Sequence, residues 1–242
     1  LGFFQARGLR ALGVDPAREI AQKAAARGVE TLATFFTAEL ARRLRRERGS
    51  AMIVTANNTF ANVDDLTDLT EGIRELLDPQ GVFVFETGYL VDLVQEGLVD
   101  NIYHEHLGYF SVGPLNRFLR AQGLELIHVE RMGTKGGSLR GMAQLLGAAR
   151  AVSPSVDRLI ALERELELDR PEPFRRLADA LGSTKATLLC LLRDLKARGK
   201  TMAGYGASVG VTTLMHYFEL GELLDFLVDD NPAKHHTLSP NY

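Results

Sequence analysis

Asn101-Ile102-Tyr103-His104-Glu105-His106-Leu107-Gly108-Tyr109-Phe110-Ser111 gathers two imidazoles, one carboxylate and two phenols into one short stretch. Proton transfer near neutral pH needs groups of these kinds within reach of one another. The same residues also suit a polar aromatic loop whose imidazoles are only exposed or hydrogen-bonded, and composition alone leaves both readings open. His104 and His106, two residues apart, would share a side of a strand, but this is not the helical H-E-x-x-H spacing of a zinc site. No metal is expected.

The elements that must position this stretch are a strand over Gly81–Glu86 and a helix over Val112–Gln122. Upstream, a short apolar run ends in Asp15, followed by Pro16 and a helix over Ala17–Arg27. An acid at the carboxyl end of such a strand can bind ribose hydroxyls or cap the next helix, and spacing does not choose. Val29–Ala33 is a strand, Ala38–Arg48 a basic amphipathic helix, and Ser50–Ala56 a buried strand running into Asn57 and Asn58. Amides at a strand's carboxyl end sit where α/β proteins bind ligands, and Asn is also a turn former. A helix over Asp65–Leu77 and a turn at Asp78-Pro79-Gln80-Gly81 lead to the strand that ends at Glu86. Strands over Leu124–Glu130 and Ser138–Leu146, joined through Gly133-Thr134-Lys135-Gly136-Gly137, close the alternation as a hairpin. This order predicts an α/β fold, a doubly wound and mostly parallel sheet with an antiparallel edge.

The pattern breaks between Ala148 and Ser155, which divides the chain into a domain over 1–147 and a second over 148–242. The second opens with helices over Val156–Leu168 and Pro173–Arg198, the latter interrupted near Gly182-Ser183. A βαβ unit follows: strand and glycine turn through Thr201–Gly210, helix Val211–Phe218, strand Leu224–Val228, then Asp229-Asp230-Asn231-Pro232. It is a smaller Rossmann-like module. Its Gly204-x-Gly206-x-x-x-Gly210 is not a strict dinucleotide fingerprint, which leaves a nicotinamide-dependent oxidoreductase as an alternative reading.

A chain of 242 residues with 45% hydrophobic and 24% charged residues has ample material for a packed core. A net charge of −3 gives no electrostatic footprint for nucleic acid or an anionic membrane. The single cysteine, Cys190, excludes an intrachain disulfide and any cysteine-cluster metal site. With no signal-like or membrane-length apolar run, a cytoplasmic protein is expected. Both ends read as cut: the chain opens at Leu1 without an initiator Met and closes at Ser239-Pro240-Asn241-Tyr242.

Taken together, the segments resemble the S-adenosylmethionine-dependent C-methyltransferases of nucleotide-linked keto-sugars. The likeness rests on Leu12-Gly13-Val14-Asp15-Pro16-Ala17, on Gly81–Glu86 with Tyr89-Leu90, and on Ile102–His106 with Tyr109-Phe110-Ser111. It extends to Gly204-Tyr205-Gly206-Ala207-Ser208 and Val228–Lys234, and so covers essentially the whole chain. The resemblance implies methyl transfer to a carbon next to a ketone, with His106 as leading base and Tyr103 and Glu105 as its partners. Base and donor can be exchanged between His106 and Tyr103. It implies S-adenosyl-L-methionine as cofactor, Asp15 on its ribose, Phe36 near the adenine, and Asn57 and Asn58 near the methionine end. Glu86, Tyr89, Tyr109 and Tyr205 are implied on the side of a nucleotide-sugar substrate. The family's amino-terminal zinc-binding domain and its first cofactor loop are not in this sequence. The expectation is therefore that residues 1–242 alone bind the cofactor poorly, and a catalytically inactive truncated chain is the third reading. Asn62, where family members often carry His, Val209-Gly210 in place of a basic residue, and His235-His236-Thr237 are further departures.

Overall fold

The computed structural model describes residues 1–238, and the expected chain end at Ser239–Tyr242 lies outside them. A short helix α1 (Gly2–Gln5) precedes strand β1 (Gly13–Val14), helix α2 (Arg18–Ala26) and strand β2 (Thr31–Leu32). β1 and β2 pair in parallel as a two-stranded sheet of their own. Helix α3 (Ala38–Arg48) starts where the Thr37 hydroxyl accepts the Leu40 N–H. Its last turn carries Arg45, Arg46 and Arg48, cations placed against the negative end of the helix dipole.

The main sheet begins with strand β3 (Ala51–Asn57) and, after helix α4 (Leu66–Leu76), strand β4 (Leu77–Gly88). Helices α5 (Leu90–Glu96) and α6 (Val112–Ala121) then lead to strands β5 (Leu124–Met132) and β6 (Ser138–Leu145). The order is β3-β4-β6-β5, parallel between β3 and β4 and antiparallel elsewhere. The α/β class and the antiparallel hairpin are as expected, but this sheet is not mostly parallel: one of its three strand pairings is parallel and two are antiparallel, and β1 and β2 pair apart from it. Asp65 caps α4 by accepting the Asp68 N–H at 2.9 Å. A core of Phe60, Ile73, Phe83, Phe85, Leu115, Leu119, Leu124, Leu126 and Leu139 fills the space between the sheet and α4 and α6. Gly141 on β6 leaves room for the ring of Phe85 on β4; a Cβ there would meet Phe85 Cζ at 2.1 Å.

Helix α7 (Pro154–Glu165), beyond the sequence division at 147/148, lays Val156, Leu159, Ile160 and Leu162 on this same core. A long helix α8 (Glu172–Ala197) follows, then strand β7 (Ala203–Tyr205), helix α9 (Val211–Tyr217) and strand β8 (Phe226–Val228). β7 and β8 pair in parallel around α9, the expected βαβ module.

Four local expectations are corrected. Asp78–Gly81 is not a free turn but an excursion within β4, because Ala51 pairs with Leu77 and Ile53 next pairs with Val82. β3 is not buried: among the described residues it has a hydrogen-bonded neighbour on one side only, and Met52 and Ile53 stand exposed. α8 runs through Gly182-Ser183 without interruption. There Ser183, Thr184 and Thr187 turn their hydroxyls onto carbonyls four residues back, sharing those acceptors with the helix ladder without breaking it. Helix α5 stands where no element was expected.

Candidate functional site

β3 and β4 run in parallel and end together, with Asn57 beside Glu86 in the register and the Asn58 N–H donating to the Glu86 carbonyl at 2.7 Å. Asn58 takes a positive φ of 51°, a conformation Asn tolerates better than most residues. Both amides are exposed. The chain then folds through a short 3-10 turn, Phe60–Asn62, whose Phe60 ring is buried against Phe85 and Phe110. The Ala61 carbonyl accepts the N–H groups of Leu107 (2.8 Å) and Gly108 (3.3 Å). The 101–111 loop thus hangs from the carboxyl end of the parallel pair, the edge where open α/β sheets bind ligands.

Within the loop, Tyr103 and His106 meet. Tyr103 Oη lies 2.9 Å from His106 Nε2, and His106 Nδ1 lies 2.8 Å from the Asn101 carbonyl oxygen. A carbonyl only accepts, so Nδ1 carries the proton and donates it. In the neutral ring Nε2 is therefore the lone-pair nitrogen and accepts the Tyr103 hydroxyl. The rings lie 4.2 Å apart between centroids, which holds the pair face to face at a tilt. Both residues are half-buried. Desolvation first, and the Glu105 charge second, push the Tyr103 hydroxyl above its ordinary range. Tyr103 is thus a proton donor at rest, and Glu105 acts on it by charge, its side chain being exposed. Tyr109 stands edge-on to His106 at 6.4 Å, its hydroxyl also pushed up by burial and by Tyr103. His104 is exposed beside Tyr103 and takes no part in the pair.

Glu86, 8% exposed, accepts from Thr134 Oγ1 at 2.6 Å and pairs with Arg140 at 2.9 Å. The Thr134 hydrogen bond, followed by Arg140, holds its carboxyl below the usual carboxylate range in spite of burial. It therefore ties the Gly133–Gly137 loop to the end of β4. Tyr89 is corrected more sharply. It is 1% exposed, and its hydroxyl donates to Glu163 at 2.9 Å. Burial, then the Glu163 charge, push that hydroxyl far above the phenol range, so it neither reaches a ligand nor ionises.

Asp15 follows β1, as expected. Its Oδ1 accepts the Ala17 N–H at 2.8 Å, while Oδ2 accepts from no group among the described residues. Helix α2 has Ala17 at its N-cap with no side-chain capping bond, so Asp15 is not its cap, and Oδ2 is left for a ligand. Phe36 is half-buried on the core and packs against Gly72 of α4, while its neighbour Phe35 is 71% exposed.

The C-terminal module meets the loop through α9. Thr213 Oγ1 donates to the Ile102 carbonyl at 2.6 Å, and Gly210 abuts the Asp100 backbone. Tyr205 lies apart on β7, 75% exposed, with its hydroxyl on Asp230 at 2.5 Å. The first acid after β8, Asp229, is held within the module. Asp229 Oδ1 accepts the Asn231 N–H, and Oδ2 accepts the Ala207 N–H and pairs with Lys234. These contacts, the two backbone N–H groups first, lower its carboxyl to about 2. Both Asp229 oxygens are thus already engaged within the module.

Sequence reasoning missed Asn101, whose carbonyl orients the imidazole, Thr134 and Arg140 on Glu86, and Glu163 beneath Tyr89. Asn101 lay in the 101–111 stretch and Thr134 in the Gly133–Gly137 turn, both already singled out, but for other reasons. Glu163 sits among Asp157, Arg158, Arg164 and Glu165, where nothing in the sequence separates it from a solvated charge.

Residues 1–129 match the model of a family described as a methyltransferase domain, and residues 133–242 match that of a C-methyltransferase C-terminal domain. The C-methyltransferase NovU of Streptomyces niveus is 36% identical over 221 residues, 91% of this chain and 53% of that protein. The chain thus spans about half the length of the curated relative it matches. Among solved structures, an SAM-dependent methyltransferase from Anabaena variabilis is similar at a TM-score of 0.47 and 14% identity, over 59% of this chain and 71% of that one. The CcbJ methyltransferase from Streptomyces caelestis is similar at a TM-score of 0.43 and 16% identity, over 59% of this chain and 77% of that one.

Proposed function

The chain belongs to the methyltransferase-domain family and carries a C-methyltransferase C-terminal domain behind it, and from that premise we propose that it serves methyl transfer from S-adenosyl-L-methionine to a carbon next to a ketone. The acceptor is a nucleotide-linked keto-deoxysugar. The observation that carries this reading is the hydrogen-bonded run from the Asn101 carbonyl through His106 to Tyr103 Oη.

A carbon next to a ketone becomes nucleophilic only when it loses a proton, which needs a base at the carbon and a donor at the developing enolate oxygen. The neutral His106 supplies the first at Nε2. Tyr103 supplies the second at Oη. For Nε2 to take the carbon's proton, the Tyr103 hydroxyl first swings off Nε2 to the ketone oxygen, and it donates there to the forming enolate as the α-proton arrives on the freed nitrogen. The Asn101 carbonyl stabilises the imidazolium through Nδ1–H, so the ring need not move. Tyr109 walls the other side of His106, and Glu105 is the loop's exposed carboxylate, suited to the polar acceptor.

The carboxyl ends of β1, β3 and β4 fit the cofactor in donor chemistry. Asp15 offers a carboxylate oxygen for ribose hydroxyls, and Asn57 and Asn58 offer amides for the methionine end. Phe36 supplies an apolar surface behind them for the adenine. S-adenosylmethionine supplies a methyl group on a positively charged sulfur. Glu86 we assign to the framing of the acceptor side, by holding the Gly133–Gly137 loop.

The test is isotopic. His106→Ala is expected to depress exchange of the α-proton of a 4-keto nucleotide sugar with labelled water, and transfer of labelled methyl to carbon, by about 10²-fold or more. Unchanged turnover in that variant removes His106 from the chemistry.

A further inference from the structure

Glu163 is a carboxylate on α7 that is only 6% exposed. Its Oε1 accepts the Tyr89 hydroxyl at 2.9 Å and the Val112 N–H at 2.5 Å, and its Oε2 accepts the Gly113 N–H at 2.9 Å. Three donors converge on it. Two of them are orphan N–H groups in the first turn of α6, where the helix dipole also favours a negative charge. The third belongs to a residue of another element altogether. The Ser111 side chain at the N-cap of α6 makes no capping bond, so Glu163 does from outside what a local residue ordinarily does.

These donors surround the point where the 101–111 loop rejoins the sheet. Tyr89 forms an isolated parallel bridge with Phe110, and the Leu90 N–H donates to the Phe110 carbonyl at 2.9 Å. Oε1 therefore grips both sides of that bridge, Tyr89 through its side chain and Val112 through its backbone. Upstream, the loop is held at Ile102 by Thr213 and at Leu107 by the Ala61 carbonyl. Among the described residues His106 itself is bonded only within the loop, to Asn101 and Tyr103. Its placement against a substrate therefore depends on where the loop's two ends are fixed.

We propose that Glu163 is a positioning residue for the Tyr103–His106 pair, setting the register of the 101–111 loop by clamping Tyr89 to the first turn of α6. The role rests on the acid–base reading of that pair. Its consequence is that helix α7, which touches none of the reacting groups, governs the rate of proton transfer.

Glu163→Gln tests it. The carboxamide keeps the shape but offers one acceptor oxygen and turns an NH2 toward an N–H that needs an acceptor. The expected result is a kcat for α-proton exchange lower by about tenfold or more with KM nearly unchanged, the signature of misplaced reacting groups. The 15N chemical shift of His106 Nε2 should move as its bond from Tyr103 loosens, which a uniform loss of stability would not produce. Tyr89→Phe removes one donor and leaves the α6 bonds intact, so it serves if Glu163→Gln does not fold; the same changes, smaller, are expected. A folded variant with wild-type kcat and an unmoved His106 nitrogen overturns the proposal. Absence of exchange and methyl transfer in the wild-type protein would instead sink the acid–base reading. The nitrogen shift would still report whether Glu163 sets the pair.

Discussion

At the scale of single residues, the Tyr103–His106 pair makes a prediction separate from loss of the imidazole. Tyr103→Phe removes Oη while keeping the ring that packs 4.2 Å from His106. The enolate donor disappears and the base remains. Methyl transfer is expected to fall by about 10²-fold, with the far-ultraviolet circular dichroism and thermal midpoint close to wild type. Because desolvation pushes the Tyr103 hydroxyl upward, the donor stays protonated through neutral pH. The wild-type rate should therefore hold on the alkaline side until above the ordinary phenol range. A decline at neutral pH traced to Tyr103 would contradict the donor role.

At the scale of elements, two glycines on helices should respond in opposite directions. Gly210 opens α9 against the Asp100 backbone, where a Cβ would stand 2.3 Å from the carbonyl oxygen. Backbone cannot yield as a long side chain does, so Gly210→Ala is expected to cost about 1–3 kcal/mol in urea unfolding. It should also slow turnover, because α9 holds the loop at Ile102. Gly182, by contrast, lies in the middle of α8 with nothing near its absent Cβ. Gly182→Ala is expected to stabilise by up to about 1 kcal/mol, since alanine loses less backbone freedom in a helix and meets no neighbour. Denaturant midpoints for the two variants decide both. The same contrast explains why a break near Gly182 was a fair sequence expectation: glycine and serine are poor helix formers, but here Gly182 has open space around it and the Ser183 hydroxyl bonds to the Asp179 carbonyl one turn back, which α8 accommodates.

At the scale of the molecule, acid should loosen the C-terminal module. The Asp229 carboxyl, held by two backbone N–H groups and Lys234, is lowered from 3.8 to about 2 in the folded chain. A depressed carboxyl contributes stability that is fully present above its unfolded value. That contribution fades as pH falls from about 4 toward about 2. Thermal midpoints measured down to pH 2.5 are expected to drop more steeply in the wild type than in Asp229→Asn; parallel curves would show that Asp229 does not anchor the turn. No helix among the described residues is long and apolar enough to cross a membrane.

The sequence by itself determined the alternation of strands and helices, the hairpin, the βαβ module and the loop that gathers Tyr103 and His106. Those features are written in local periodicity, in breakers such as Pro16 and the Gly136-Gly137 pair, and in residue types that are rare together. Only the tertiary structure decided how they are used. It placed β3 at an exposed edge although its residues read as buried, because burial depends on how many neighbours a strand has and not on its own composition. It turned Tyr89, a plausible ligand contact by chain position, into a buried partner of Glu163, and it spent Asp229 on its own turn. It also chose the His106 tautomer, through a carbonyl five residues away. Hydrogen-bond partners brought together by folding are set by distances in space, and the spacing of residues along a chain does not encode them until the core has closed.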